Sequence, residues 1–501
     1  MEDLPLLTIL IAVPAVAALL IAAWPSAAAA RWTALAGAVV TFAVSVVVLI
    51  SFTAGDAAFQ LGEEVEWIPQ WGITYRLGVD GLSLLLVMLS TFMMPLVVLA
   101  GWKTSDRAKG FFGSMMALQA ALIGVFLALD LILFYVFFEA MLVPMYALIG
   151  IWGSGNRRYA AIKFFLYTLV GGFLMLVGIL YLYFAAGATS FDYDVIRQVS
   201  LTATEQALLF GAFFAAFAIK VPMFPLHTWL PDAHTEAPTV GSVLLAAVML
   251  KIGGYGFLRF SLPVFPDATV RFAPYMIALA VIGVLYGALV AMVQRDVKRL
   301  VAYSSVSHLG FVVLGIFVLH PTGAAGSVVQ MVNHGLSTGA LFLLIGFLYD
   351  RAHSREIAEY SGLLRAAPIL GGLFLVTAMS SVALPGLNGF VGEFPILLGA
   401  YQTTPVAAVA ATVGVILAAM YLLWAYQRMF HGPVEGRAVG IADLTPREIG
   451  VMVPIVVLIV GIGLYPQPLY ERVNPTVEAI LDGVDGRDDL AVTPPAPEES
   501  R

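Results

Sequence analysis

The sequence predicts an all-α polytopic membrane protein with about fourteen transmembrane helices. Of its 501 residues, 60% are hydrophobic and only 11% charged, and its mean hydropathy is +0.93, far above the range of a soluble globular chain. Apolar runs of about twenty residues recur along nearly the whole length, and a run of that size crosses the hydrocarbon core as a helix that satisfies its own backbone. The polar stretches between the runs carry arginine and lysine on alternate sides, as topology in a bilayer requires.

In chain order the spans are predicted at 4–23, 31–52, 80–101, 111–129, 130–150, 160–184, 205–228, 239–260, 273–294, 300–319, 325–349, 367–400, 405–428 and 448–466. The first follows Met-Glu-Asp-Leu-Pro and no basic leader, so it reads as a retained helix and not as a cleaved signal peptide. Two spans stand out. The span 205–228 contains Lys220-Val221-Pro222 and Pro225, and 367–400 contains Pro385-Gly386-Leu387-Asn388-Gly389 and Glu393-Phe394-Pro395. Proline removes a backbone donor and clashes with the preceding turn, so both helices are expected to break inside the membrane. Counted from 111–129 the broken helix is fourth of five, and counted from 273–294 it is again fourth of five. Paired interruptions of this kind point to two inverted five-helix repeats with functional groups at the breaks.

The predicted organisation is three N-terminal spans over 1–110, a first five-helix repeat over 111–260, a second, inverted repeat over 273–430, a last span at 448–466 and a short tail over 467–501. The end of that tail, TPPAPEESR, is expected to be disordered. Odd-numbered loops hold most of the cations, among them Arg107, Arg157, Arg158, Arg295, Arg299 and Arg355, whereas even-numbered loops hold only Arg76, Arg197, Arg259 and Arg271. The odd loops are therefore expected in the cytoplasm and both termini on the opposite side.

Composition also excludes chemistry. There is no cysteine, hence no disulfide, no thiolate zinc site and no ordinary iron–sulfur ligation; any electrons must travel in other subunits. A net charge of −7 argues against a nucleic-acid partner. No GxxxxGK[ST] or HExxH motif occurs, and His227 and His234, either side of a Pro-Asp turn, have no zinc-like spacing. They read either as gates at the cytoplasmic mouth of the broken helix or as ordinary loop residues.

Removing loop residues leaves Glu139, Lys163, Lys220, Lys251, His308, His334 and Glu393 inside the spans, one to a helix. Ionisable groups at that depth are costly and usually mark ion or substrate paths. Lys163 sits one turn into its span beside Arg157 and Arg158, and is expected to snorkel toward the headgroups. His334 shares a helix face with Ser327, Gln330, Ser337 and Thr338, a polar stripe suited either to a file of water or to helix packing, and Ser304 and Ser305 precede His308 by one turn. Lys251 lies among Ala246, Ala247 and Gly254, which leave it room inside a bundle. Glu139 is the acid best placed in sequence to partner Lys220. Lysine, histidine and glutamate set singly on separate helices suit a proton relay better than a sodium site, which wants clustered oxygens.

The stretches KVPMFPLHTWLPDAHTEAPTVGSVLLAAVMLKIGGYG (220–256), KRLVAYSSVSHLGFVVLG (298–315), NHGLSTGALFLLIGFLYDR (333–351), LPGLNGFVGEF (384–394) and FYVFFEAMLVPMY resemble the antiporter-like proton-pumping subunits of respiratory complex I. The resemblance runs from about residue 110 to 430. By motif it implies that Glu139 is the acid of the fifth helix, Lys220 its broken-helix partner, Lys251 the central lysine, His308 and His334 the link to a second half-channel, and Glu393 the terminal group. Most paralogues in this family have lysine at the last position, and a glutamate there resembles the M-type chain of NADH–quinone oxidoreductase. Asn388 stands where other members often have smaller residues. The implied activity is proton translocation driven by NADH-to-quinone electron transfer. No cofactor is implied in this chain; FMN and iron–sulfur clusters are implied in partner subunits. The partners implied are other membrane-arm subunits and the lipid of a bacterial inner membrane. Competing readings are a subunit of a sodium/proton antiporter, of a related hydrogenase membrane arm, or a purely structural subunit.

Overall fold

The structure is a computed structural model that describes residues 4–23 and 26–485; the closing residues TPPAPEESR lie outside them. Thirteen described helices are long and apolar enough to span a bilayer, and a further apolar helix, Pro368–Ser381, is shorter.

Helices α1 (Leu6–Ala23) and α2 (Ala27–Ser51) lead into an antiparallel hairpin, β1 (Gln60–Ile68) and β2 (Ile73–Val79). The hairpin is absent from the sequence reading, although Glu64-Val65-Glu66-Trp67 alternates with the period of a strand. Its Glu63 accepts from the Leu7 and Thr8 amides at 2.7 and 3.0 Å, which caps α1 from outside the helix. Asp80 then caps α3 (Gly81–Ala100) in a reciprocal box with Ser83, and α4 (Ala108–Leu127) follows.

The predicted span 130–150 is in fact two helices, α5 (Leu131–Ala140) and α6 (Leu142–Trp152), interrupted at Met141. Pro144 is the cause, because it has no N–H for the Ala140 carbonyl. After α7 (Arg157–Ala185), the first broken span is α8 (Ala203–Lys220), an irregular stretch over 221–228, and α9 (Trp229–Glu236). The predicted end at 228 is thus corrected to 236, since the chain resumes helix after Pro225. Next, α10 (Thr239–Val264) contains two wide π-turns, at Leu245–Met249 and Phe257–Ser261. The second set of helices is α11 (Pro266–Met292), α12 (Val297–Phe317), α13 (Pro321–Ala352), a broken pair α14 (Pro368–Ser381) and α15 (Asn388–Thr403), and α16 (Pro405–Phe430). Each run of five contains an odd number of crossings, so the second enters the membrane from the opposite face to the first.

Helices α10, α12 and α13 are buried on almost every side, so the polar and ionisable side chains they carry are enclosed by protein. Loops meet on two faces. On one, the Ser154 amide donates to the Glu236 carbonyl at 2.8 Å, Lys298 Nζ to the Ala237 carbonyl at 2.5 Å and Arg355 to the Thr235 carbonyl at 2.5 Å; this is the arginine-rich face. On the far face Arg76 pairs with Asp192 and Asp194, and Arg197 with Asp194.

Beyond α17 (Pro446–Leu464), the expected short tail begins as a helix, α18 (Gln467–Asp485). It buries Val473, Val477, Ile480 and Val484, a helical repeat the sequence carried openly. Its Tyr470 hydroxyl donates to the Val391 carbonyl of α15 at 2.7 Å. That carbonyl has no helical partner, because four residues on stands Pro395. Tyr470→Phe is expected to cost about 1 kcal/mol, measured as earlier thermal inactivation of the purified complex with unchanged initial turnover.

Candidate functional site

Lys251 stands between the two π-turns of α10 and is fully buried. Its ammonium donates to the Ala246 carbonyl one turn back and lies 2.7 Å from His334 Nδ1 on α13. The ring centroids of His334 and His308 are 6.0 Å apart. His308, on α12, places Nδ1 2.7 Å from Glu393 Oε1, and Gln330 Nε2 donates to the same oxygen at 2.8 Å. The Tyr421 hydroxyl of α16 is 3.4 Å from His308 Nε2. Four of the predicted residues thus form one line across four helices. Its only wide step is between the two histidines, and His334 Nε2 is buried without a protein partner. Buried polar groups are ordinarily satisfied, and a single water has the size and valence for such a step.

Glu139 and Lys220 stand apart from this line and interact with each other through their charges. Lys220 Nζ is buried with no hydrogen-bond partner in the protein, 4.8 Å from the Phe138 ring centroid and 5.8 Å from that of Phe164. Its position in the last turn of α8 places its charge at the negative end of the helix dipole. Glu139 is half-buried on α5 and lies against Gly172 of α7, where any Cβ would collide with its carboxylate. The two make no direct ion pair, and aromatic rings line the ammonium, but each is close enough to feel the charge of the other.

Lys163 does not snorkel alone as predicted. It donates to Asp232 Oδ2 of α9 at 2.8 Å and so ties α7 to the second half of the broken span. His234 is fully buried, with both ring nitrogens unpartnered and its ring stacked on Phe342 at 4.7 Å. His227 packs on Phe224 and Tyr286. His227 lies in the irregular stretch between α8 and α9, whereas His234 lies inside α9 and is no loop residue.

The polar stripe on α13 divides its work. Gln330 reaches Glu393, whereas Ser327 donates to the Val312 carbonyl and Ser337 bonds to Ser380 Oγ at 2.5 Å. Ser304 and Ser305 donate back to the Val301 carbonyl. Asn388 begins α15 and accepts from Ser337 and Ser380, while its amide donates to the Asn333 carbonyl. It therefore fixes the residues on either side of His334. Sequence reasoning gave neither Asn388 nor Tyr421 a place at the site; for Asn388 the signal was its size beside a helix break.

A line of buried bases and an acid sealed inside a membrane helix bundle is the equipment of an ion-translocating protein. Residues 128–419 match the family described as NADH:quinone oxidoreductase/Mrp antiporter, TM, and residues 11–129 match NADH-ubiquinone oxidoreductase chain 4, amino terminus. The chain belongs to this NADH:quinone oxidoreductase/Mrp antiporter family. It is 47% identical over 464 residues to NADH-quinone oxidoreductase subunit M of Rhodobacter capsulatus, covering 90% of each chain. A chain of respiratory complex I from Thermus thermophilus, solved with bound NADH, superposes with a TM-score of 0.88 at 34% identity, over 95% of this chain and 99% of that one. A chain of the Mrp complex from Dietzia sp. superposes with a TM-score of 0.84 at 22% identity, over 95% of this chain and 97% of that one, a likeness of fold alone.

Proposed function

We propose that this chain is the proton-translocating membrane subunit of an NADH–quinone oxidoreductase, moving protons while electrons pass from NADH to quinone in partner subunits. The line from Lys251 through His334 and His308 to Glu393 carries this reading. Each member bonds to its neighbour or stands one water away, and each can hold or release a proton. Lys220 and Glu139 act upstream: a charge change in a neighbouring subunit alters Glu139, shifts the proton affinity of Lys220 through the electrostatic field, and drives a proton on to Lys251. Glu393 passes it to the far face. FMN and iron–sulfur clusters belong to partner subunits, among which are further antiporter-like chains. The assembly lies in a bacterial inner membrane, with the arginine-rich loops in the cytoplasm and both termini outside.

A sodium site finds little support here. Glu393 is the single carboxylate of the line, and its Oε1 is occupied by two N–H donors, whereas sodium needs several converging oxygens.

The first test is purification of the native assembly through a tag on this chain. NADH-dependent quinone reduction, with flavin and iron absorbance, is expected to copurify. A preparation that lacks redox centres and exchanges sodium for protons overturns the assigned energy source. Within the active complex, Glu139→Gln and Lys220→Ala are each expected to lower proton pumping and NADH oxidation together, by about tenfold or more; normal values in both would sink the upstream scheme.

A further inference from the structure

Arg259 was assigned by sequence to a far-face loop, yet it lies within α10 with its side chain 3% exposed, paired with Asp80 at 1%. The pairing is built in on both sides. Asp80 Oδ1 holds the first turn of α3 through the Ser83 amide at 2.9 Å, and Oδ2 takes the guanidinium. Arg259 Nε donates to the Tyr255 hydroxyl at 3.3 Å, and the Tyr255 hydroxyl donates to the Phe126 carbonyl at 3.1 Å. The rings of Phe59 and Tyr193 flank the guanidinium at 4.8 and 5.8 Å.

Outside this cluster a cavity of about 770 Å³ opens on the far face, lined among others by Arg76, Asp80, Tyr193, Asp194, Arg197 and Arg259. Inside it, Lys251, Tyr255 and Arg259 recur every four residues on one side of α10. At 1.5 Å per residue the cavity floor is only about 12 Å along the helix from the buried lysine. A hydrated connection there would let protons pass between Lys251 and the far face without visiting His334, His308 or Glu393. Two features break it. The guanidinium keeps its charge throughout the physiological range, so a proton coming from the cavity meets a fixed positive charge. The Tyr255 hydroxyl has its proton committed to a backbone carbonyl and its oxygen engaged by Arg259, so it offers no route onward.

We propose that Arg259, Asp80 and Tyr255 form a proton-excluding plug between the far-face cavity and Lys251, which confines protons at Lys251 to the route through the histidines. This rests on the reading of Lys251 as a proton carrier. In the whole complex, reconstituted in liposomes without NADH, the double variant Asp80→Asn/Arg259→Gln keeps size and hydrogen bonding but removes both charges. Its passive proton leak under an imposed pH gradient is expected to rise at least about tenfold, and adding Lys251→Met is expected to stop the leak. An assembled double variant that stays tight overturns the plug. A leak that survives Lys251→Met overturns the proposed route, and places the fault with the role of Lys251.

A second measurement does not depend on that variant. The chain has no cysteine, so single cysteines on it label without background. A membrane-impermeant cationic thiol reagent applied to the far face is expected to modify Ala479→Cys in the cavity wall and to leave Lys251→Cys, on the inner side of the plug, unmodified. Reaction at Lys251→Cys with Arg259, Asp80 and Tyr255 intact overturns the plug.

Discussion

Lys251→Met is expected to leave the complex assembled and to lower NADH-driven acidification of liposomes at least about tenfold. The side chain is fully buried and its ammonium has two partners, the Ala246 carbonyl and His334 Nδ1. Methionine fills nearly the same volume without a charge to desolvate, and replacing a buried charge by an apolar group of like shape is often neutral for folding. What is lost is proton exchange at the centre of the line. Lys251→Arg separates charge from exchange, because a guanidinium keeps the positive charge but does not release a proton. Both variants are expected to fail in pumping with normal flavin content. Normal acidification in Lys251→Met would remove this residue from the path.

Glu393 allows a cleaner division between structure and transport. Its Oε1 accepts from His308 and Gln330. Glu393→Gln retains a carbonyl oxygen for both donors but cannot take up a proton, so assembly and thermal stability are expected to hold while pumping falls about as far as in Lys251→Met. Glu393→Ala removes the acceptor and strands two buried groups, at about 1–3 kcal/mol each. It is expected to lower stability as well as pumping. Equal pumping by Glu393→Gln and the unaltered complex would show that the terminal group does no more than hold His308 in place.

The charged set was legible because an ionisable residue in an apolar run is visible one position at a time. So were the broken helices, since proline acts locally. Partnership was less legible. Asp80 and Arg259 meet across 179 positions, and the sequence counts Arg259 with the far-face loop cations because it stands at the very edge of the span drawn to 260, whereas α10 runs on to Val264. Chain order pairs Glu139 with Lys220, and their charges do interact, but it does not show that the rings of Phe138 and Phe164 lie against the ammonium. The hairpin and α18 escaped because a search for twenty-residue apolar runs passes over a nine-residue strand and a helix with only one apolar face. In each case the missing information was which distant surface would cover a residue.

The line from Lys251 to Glu393 has one more property. Its two contacts on α13 fall at His334 and Gln330, a single turn apart, so a proton moving along it changes depth by roughly one helical pitch, ~5 Å. A membrane voltage of about 100 mV falls across a hydrocarbon layer of about 30 Å and is worth about 2.3 kcal/mol per charge over the full thickness, so the lateral transfer works against only roughly 0.4 kcal/mol of it. The electrical work of the pump is therefore concentrated where protons come into the bundle and where they leave it. Back-pressure from an energised membrane should slow those vertical steps and leave the passage between the two half-channels almost untouched.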